Sequence, residues 1–282
     1  NHHKPSNRKD SITSWKIITF LMKTKELDYK SAIQELASVA EIDLDADKAE
    51  CLSELMRDAA MYYHQQLKSN PKAKSAIDIL HSWGIFGKTI IQLGIGFHDN
   101  SFNTFINYMT KEKEHTLSQL EIAKLVLKSS RGNYCDKMRN SIIIPTIDEN
   151  GKVACFDFFI TDKQQLYKYP NSKSFERSHH LYSYNLAVQT NKKSVLIVAN
   201  YEDYFKLAGK GIFNLVSTYF PKIIVAQLNL LKQKFKVIMV LAPQHFNIQI
   251  LPAVFCFVEV IVIFFGYLHQ HPVQRKKVFV RI

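Results

Sequence analysis

In its second half the chain alternates apolar runs with amphipathic stretches, and this order constrains the fold more than any other feature of the sequence. The runs at 195–198, 213–218 and 236–242 have the length and composition of buried strands. The stretches at 202–209 and 223–233 repeat their apolar residues at helical spacing. Strands that alternate with helices predict an α/β unit built around a parallel sheet.

The first part of the chain has helical periodicity instead. Apolar residues over 15–39 predict a helical hairpin, and Asp28 precedes its second helix. We predict that Asp28 is the N-cap of that helix, because a carboxylate at this position accepts backbone N–H groups. The helical pattern continues over 45–69 and ends at Asn70-Pro71.

Between these regions the spacing changes from helical to alternating. Two short helices separated by Gly84 and Gly87 lead to a further helix predicted at 117–129. The residues that follow alternate with a period of two and contain a turn at 148–151. The strands predicted from this alternation cover 141–148, 152–160 and 166–170. The predicted class is α+β with α/β: a helical N-terminal region, a mixed β subdomain, then a parallel sheet with flanking helices.

The chain is strongly basic. Its 37 lysines and arginines against 25 acidic residues give a net charge of +12 and a pI near 9.4. Such an excess favours a polyanionic partner, with nucleic acid first and an anionic membrane second. A basic protein without such a partner stays open as an alternative.

The cysteines and the amino end bear on location. Cys51, Cys135, Cys155 and Cys256 form no Cys-x-x-Cys pair, which argues against a disulfide framework and favours a reducing, cytoplasmic setting. The chain begins at Asn1 without an apolar signal segment, which allows a start inside a longer chain.

One apolar segment, 250–267, has the composition of a membrane span. It is shorter than the ~20 residues that a span needs, and it contains Pro252 and Glu259. We interpret it as a buried helix and strand, and we expect no membrane partner.

Several motifs occur in an order found in one protein family. The segment 135–156 (CDKMRNSIIIPTIDENGKVACF) lies over a basic signature of the form D-R-F-R-N-R-I-M-F-P and a glycine-turned strand pair. KYPNS, at 168–172, lies over K-Y-L-N-S, and Phe175, Arg177 and Leu181-Tyr182 follow the later F-x-K and L-Y. Together with 20–44 and 79–97, these motifs resemble the bacterial-type (DnaG-type) replicative DNA primases. The activity of that family is template-directed synthesis of an RNA primer on single-stranded DNA.

The resemblance implies that 195–205 (VLIVANYEDYF) is the first strand and turn of a Toprim domain, with a family pattern E-G-Y-x-D. Ala199 stands at the glutamate of that pattern, and Ala242 and Gln244 stand at the two aspartates of a later D-G-D. Nucleotidyl transfer requires Mg²⁺ or Mn²⁺ held by carboxylates. We therefore predict impaired or absent catalysis, with Glu202 and Asp203 as weak substitutes for the missing acids and no residue assigned as a metal ligand.

The nucleic-acid surface implied by the resemblance is better preserved. Basic groups bind phosphates and tyrosines stack on bases, so residues of both kinds are expected in it. The predicted nucleic-acid-binding residues are Lys137, Arg139, Asn140, Lys168, Tyr169, Asn171, Ser172, Lys173 and Arg177. A family glycine-rich, arginine-bearing nucleotide contact, G-F-G-G-R, is replaced by the bulky, apolar segment 155–159, which argues against nucleotide binding. The alternative to a nucleic-acid surface is that the basic residues form a solvated face and the aromatic residues of the strands pack in the core.

The predicted organisation has three parts. Residues 1–45 resemble the end of a primase zinc-binding domain, 46–188 the basic N-terminal subdomain of the catalytic core, and 189–282 a degenerate Toprim-like subdomain. Zinc is not supported, because His2-His3 has no cysteine partners.

The predicted function is that of a DnaG-type primase homologue in DNA replication, with impaired catalysis. Single-stranded DNA is the expected partner, and the replicative helicase is a further one. Three alternatives stay open: an active primase using acids elsewhere, a non-catalytic replisome scaffold, and a decayed copy.

Overall fold

The structure is a computed structural model, and it describes residues 17–39, 44–168, 177–220, 222–243, 247–248, 259–265 and 277–280. The chain divides into two compact units, 1–52 and 53–282.

The first helices agree with the helical periodicity. Residues 17–24 form α1, and α2 (Tyr29–Val39) begins where Asp28 Oδ1 accepts the N–H of Ser31 at 2.7 Å, which confirms the predicted N-cap. Helix α3 (Leu44–Ser69) ends at the predicted Asn70-Pro71. The side chain of Asn70 then accepts the N–H of Lys72 at 3.0 Å and starts a short 3₁₀ turn.

The two short helices predicted around Gly84 and Gly87 are present as α4 (Lys74–Ser82) and α5 (Gly87–Leu93). Gly94 ends α5 with a φ of 62°, a conformation that costs glycine little, and the chain continues into β1 (Gly96–His98). A further helix, α6 (Thr104–Lys111), follows β1.

The helix predicted at 117–129 is wrong beyond residue 122. Helix α7 (Leu117–Ile122) starts with a capping box on Thr116, and Lys124 leaves the helix with a φ of 55°. The chain then forms β2 (Val126–Lys128), which pairs antiparallel with β3 (Tyr134–Asp136). Strand pairing therefore overrides the helical pattern of this segment.

The three alternating segments form strands, namely β4 (Ser141–Ile147), β5 (Val153–Ile160) and β6 (Gln165–Tyr167). The third strand ends before Lys168, which is predicted to lie in it, and 169–170 lie outside the described residues. With β1 the three strands make an antiparallel sheet in the order β1-β4-β5-β6. The β4–β5 turn is closed by Asp148, whose Oδ1 accepts the backbone N–H groups of Asn150 and Lys152.

The second half forms the predicted parallel sheet. Its strands are β7 (Ser194–Val198), β8 (Leu215–Ser217), β10 (Val237–Pro243), β12 (Glu259–Phe265) and β13 (Lys277–Val280), in the order β13-β12-β10-β7-β8. Only β13 among these strands is antiparallel to its neighbour. A small ladder pairs β9 (Lys222–Ile223) with β11 (Asn247–Ile248). The flanking helices are α8 (Tyr184–Gln189), α9 (Tyr201–Ala208) and α10 (Val225–Lys232).

Part of the apolar segment 250–267 is the strand β12, as expected, and the rest of it lies outside the described residues. In the part of the chain that the structure describes, no helix is long and apolar enough to cross a membrane.

Two hydrophobic clusters hold the sheets in place. One joins α4, α5 and the antiparallel sheet to α9, and the other packs α8 and α10 against β7, β8 and β10. In the first cluster the backbones approach so closely that a Cβ on Gly209 would collide with the carbonyl oxygen of Gly84. This packing brings β5 and β6 next to the C-terminal ends of β7 and β8.

Candidate nucleic-acid interface

The loop between β3 and β4 is held at its start by a buried carboxylate. Asp136 accepts backbone N–H groups from Phe105 and Ile106, both at 3.0 Å, and lies 3.1 Å from Nε2 of His98. Asp136 and His98 are almost fully buried. The chain therefore leaves a rigid anchor directly before Lys137 and Arg139.

Two predicted phosphate contacts emerge from this anchor and are half-buried. Lys137 Nζ donates to the carbonyl oxygen of Lys124 at 3.0 Å, and burial, with the nearby charge of Lys124, lowers the pKa of Lys137. The guanidinium of Arg139 lies 3.9 Å from the ring centroid of Phe102, which is 59% exposed. The cation thus lies over the face of an aromatic ring at the surface.

Asn140 shapes the same loop through its backbone. Its φ is 50°, and its carbonyl oxygen accepts the N–H of Thr161 at 3.0 Å and the hydroxyl of Thr161 at 3.1 Å. The N–H of Asn140 donates to the carbonyl of Asp99 at 3.0 Å. Asn140 therefore ties the basic loop to the end of β5.

Lys168 follows β6 and reaches the parallel sheet. Its Nζ donates to the carbonyl of Tyr219, just beyond β8, and lies 5.4 Å from the ring centroid of Phe220. Burial of the ammonium end lowers the pKa of Lys168, although the residue as a whole is exposed. This lysine marks the C-terminal edge of the parallel sheet.

Arg177 does not line the surface where the sequence places it. It is 2% exposed, and its guanidinium forms two hydrogen bonds with Asp157, at 2.9 and 2.6 Å. Tyr201 donates its hydroxyl to the same carboxylate at 2.7 Å, and the ring of Tyr219 lies 4.4 Å from the guanidinium carbon. Burial disfavours the charged guanidinium, but the negative charge and hydrogen bonds of Asp157 outweigh this effect and raise the pKa of Arg177. Arg177 is therefore not exposed to bind a phosphate, contrary to the prediction from the sequence.

The role of Asp157 as a buried partner of Arg177 and Tyr201 is not predicted from the sequence. The segment 155–159 is predicted to be bulky and apolar, yet its central residue is a buried carboxylate. An acidic residue inside an apolar strand is a signal, because a buried carboxylate needs a cationic or hydrogen-bonding partner. Four other expected contacts, Tyr169, Asn171, Ser172 and Lys173, lie outside the described residues.

The C-terminal end of β7 lacks a carboxylate. Ala199 is buried, and Asn200 caps α9 by accepting the N–H of Asp203 at 2.8 Å. Asp203 accepts the side-chain amide of Asn200 at 3.0 Å, and Glu202 pairs with Lys206 at 2.6 Å. The two weak substitutes are therefore engaged in the first turns of α9.

These residues do not fit a magnesium site. Hard cations need several oxygen ligands, and Ala199 and Ala242 supply no side-chain oxygen. Ala242 lies in β10, whereas Gln244 lies outside the described residues. Within the described ranges no three His, Cys, Asp or Glu side chains cluster as metal ligands would.

Comparisons with known proteins agree with the fold and with the primase motifs. Residues 62–188 match the family described as the DNA primase catalytic core, N-terminal domain. The chain is 31% identical over 230 residues to the DNA primase of Clostridium acetobutylicum, across 77% of this chain and 38% of the relative. The chain thus spans well under half the length of that relative.

Solved structures show the same architecture. A structure of the DnaG primase catalytic domain bound to ssDNA superposes with a TM-score of 0.69 and 20% identity, covering 80% of this chain and 76% of that one. The E. coli primase catalytic core superposes with a TM-score of 0.65 and 20% identity, covering 78% and 74%.

The class defined by these observations is an α+β protein with the fold of the DnaG catalytic core. Within that class, the chain is similar to the bacterial DNA primases in sequence and has the fold of DnaG catalytic domains, as its motifs predict.

Proposed function

We propose that this chain is a DnaG-type primase homologue of DNA replication that binds single-stranded DNA and has impaired or no metal-dependent primer synthesis. The observation that carries the second part is the end of β7, where Ala199 precedes the cap of α9 and supplies no carboxylate.

The nearby acids do not replace the missing group. Glu202 and Asp203 are held by Lys206 and Asn200, and Asp157 is held by Arg177 and Tyr201. Hard cations take several oxygen ligands at once, and Glu202 and Asp203, which lie in the first turn of α9, supply too few of them. We therefore expect weak metal binding at this edge of the sheet.

Three features support DNA binding. The chain has a net charge of +12, and Lys137, Arg139 and Lys168 are placed by rigid contacts on the loop after β3 and at the end of β6. A protein of the same fold has been solved as a DnaG catalytic domain bound to ssDNA. The sequence motif 168–173 contributes further lysine, tyrosine and amide groups to the proposal. The family resemblance extends the proposal to the replicative helicase as a partner and to a cytoplasmic location.

The test is a titration of the full chain with a fluorescent single-stranded oligonucleotide, with and without Mg²⁺ at constant ionic strength, alongside an assay of ribonucleotide incorporation. We expect binding that weakens steeply with salt, is indifferent to Mg²⁺, and is accompanied by no primer synthesis. Binding that requires Mg²⁺, or incorporation above background, would overturn the loss of catalysis. Absence of binding would overturn the DNA-binding part and favour the scaffold.

A further inference from the structure

The N-terminal edge of the parallel sheet carries a second basic surface. The strands β7, β8 and β10 begin at this edge, and α9 and α10 end there, because each helix returns antiparallel to its strand. Six exposed lysines, here called the edge lysines, lie in these segments: Lys192, Lys193, Lys210, Lys232, Lys234 and Lys236.

Backbone hydrogen bonds bring these segments together. The carbonyl oxygen of Lys193 accepts the N–H of Lys236 at 2.7 Å and the N–H of Val237 at 3.1 Å. Lys192 Nζ lies 3.3 Å from Oδ1 of Asn214, which directly precedes β8. The lysines near the starts of three neighbouring strands therefore lie along one edge of the sheet.

The positive charge of this surface is opposed by few acids. The sequence has no aspartate or glutamate between Asp203 and Glu259, and Glu202 and Asp203 lie at the opposite edge of the sheet. Glu259, the first residue of β12, is in register with Val237 and is the acidic residue of the described strands that begins at this edge. Among the ion pairs found within the described ranges, none includes an edge lysine.

The helix dipole explains only part of the cluster. Lys232 lies in the last turn of α10, where a cation is favourable, but the pairs Lys192-Lys193 and Lys234–Lys236 lie in loops. Six lysines outnumber the one glutamate that begins a strand at this edge, and like charges repel one another, so the arrangement gains free energy when an anion binds.

The edge lysines are separate from the candidate interface. Lys168 contacts Tyr219 beyond the C-terminal end of β8, whereas the edge lysines precede the strands. Five residues of β7 span roughly 17 Å at the usual rise of a strand, so the two surfaces lie at opposite edges of the sheet.

We infer that the edge lysines bind the phosphodiester backbone of DNA as a second contact site. Lysine ammonium groups bind phosphates without regard to base sequence. The edge lysines can therefore bind any DNA that is long enough to extend from the candidate nucleic-acid interface to the opposite edge of the sheet. This inference rests on the proposed function, in that the anion is taken to be DNA.

The test compares two charge-matched variants of the full chain. The edge variant carries Lys192→Gln, Lys193→Gln, Lys234→Gln and Lys236→Gln. The control carries four exposed lysines from other elements changed in the same way, at Lys74, Lys88, Lys111 and Lys152. Binding of a 12-nucleotide single strand, a 50-nucleotide single strand and a 30-bp duplex is measured over a range of salt concentrations.

We expect the edge variant to keep wild-type affinity for the 12-mer. For the 50-mer its slope of log affinity against log salt should be shallower by roughly 2–3, because each phosphate contact contributes about 0.7 for single strands. The duplex should show a similar loss, and the control should follow the wild type to within about 1. The milder pair Lys193→Gln with Lys236→Gln replaces the edge variant if thermal melting shows that the latter is unfolded.

Slopes for the 50-mer and the duplex that match those of the control would overturn the inference. It would also be overturned if the edge variant lost binding only to vesicles containing phosphatidylserine, which would assign the surface to a membrane. If the wild type binds long DNA but not the 12-mer, DNA binding at the candidate nucleic-acid interface is contradicted, whereas DNA binding by the edge lysines is not. If the wild type binds the 12-mer and the edge variant binds the 50-mer and the duplex as the wild type does, only DNA binding by the edge lysines is contradicted.

Discussion

Asp157 and Arg177 form a buried, two-hydrogen-bond ion pair, with distances of 2.6 and 2.9 Å between their oxygens and nitrogens. Tyr201, the first residue of α9, adds its hydroxyl to the same carboxylate. The pair therefore connects β5 of the antiparallel sheet to the point where the parallel sheet turns into its first helix.

Asp157→Asn should lower the free energy of unfolding by about 3–5 kcal/mol, because it leaves the buried guanidinium without its counter-charge. Urea denaturation measures the loss. Glu202→Gln is the control, since the pair of Glu202 with Lys206 is exposed and should matter little. Equal effects of the two substitutions would contradict the structural role of Asp157.

Gly209→Ala should lower the free energy of unfolding by about 1–3 kcal/mol, because the new Cβ would collide with the backbone of Gly84. Gly87→Ala, in open space at the start of α5, should be neutral or slightly stabilising. Thermal and urea unfolding of both variants test this difference. A Gly209→Ala protein as stable as the wild type would show that the end of α9 does not approach the end of α4 so closely.

Arg139→Gln should weaken the binding of single-stranded DNA for all sequences and reduce the salt slope by about 0.7. Arg131→Gln, in the exposed β2–β3 turn, is the matched control, and we expect wild-type binding from it. Fluorescence anisotropy over a salt series compares the two. If both variants behave alike, the loop after β3 is no more important than any other basic surface.

Acid should destabilise the protein through Asp99. Burial disfavours this carboxylate, but hydrogen bonds from Ser101, Lys72 and Asn70 outweigh it and hold the pKa of Asp99 well below its usual range. A lowered pKa stabilises the folded state at pH values above the unfolded pKa of about 4, and this contribution is lost as the pH falls below it.

Asp99→Asn should therefore be less stable than the wild type at pH 7, and the difference should shrink from about pH 4 downward. Urea unfolding between pH 7 and pH 2.5 measures this dependence, with exposed Asp162→Asn as the control. A difference that stays constant with pH would show that the Asp99 carboxylate is not selectively stabilised in its charged form.

Hydrophobic periodicity predicts those helices and strands whose conformation is determined by the residues within the element itself. The parallel strands, the β4–β5 hairpin with its Asp148 turn, and the Asp28 cap all follow from local patterns. The segment after Ile122 does not, because Val126–Lys128 is a strand only by pairing with β3, which lies further along the chain.

The same limit applies to the candidate site. The order of the motifs identifies Lys137, Arg139 and Lys168 as basic positions. It identifies Arg177 in the same way, although Arg177 is buried and forms an ion pair with Asp157, twenty residues earlier in the chain. The cation–π contact between Arg139 and Phe102 likewise joins residues far apart in the sequence, and no spacing rule predicts it.

The most direct test of lost metal-dependent catalysis is an electron paramagnetic resonance titration of the wild-type chain with Mn²⁺, which reports the free ion. We predict that the protein takes up no Mn²⁺ at concentrations below about a millimolar, since Ala199, which follows β7, supplies no carboxylate and Glu202 and Asp203 supply too few oxygen ligands for a hard cation. A site of micromolar affinity that disappears in Glu202→Gln or Asp203→Asn would contradict the account and restore a metal to this edge of the sheet.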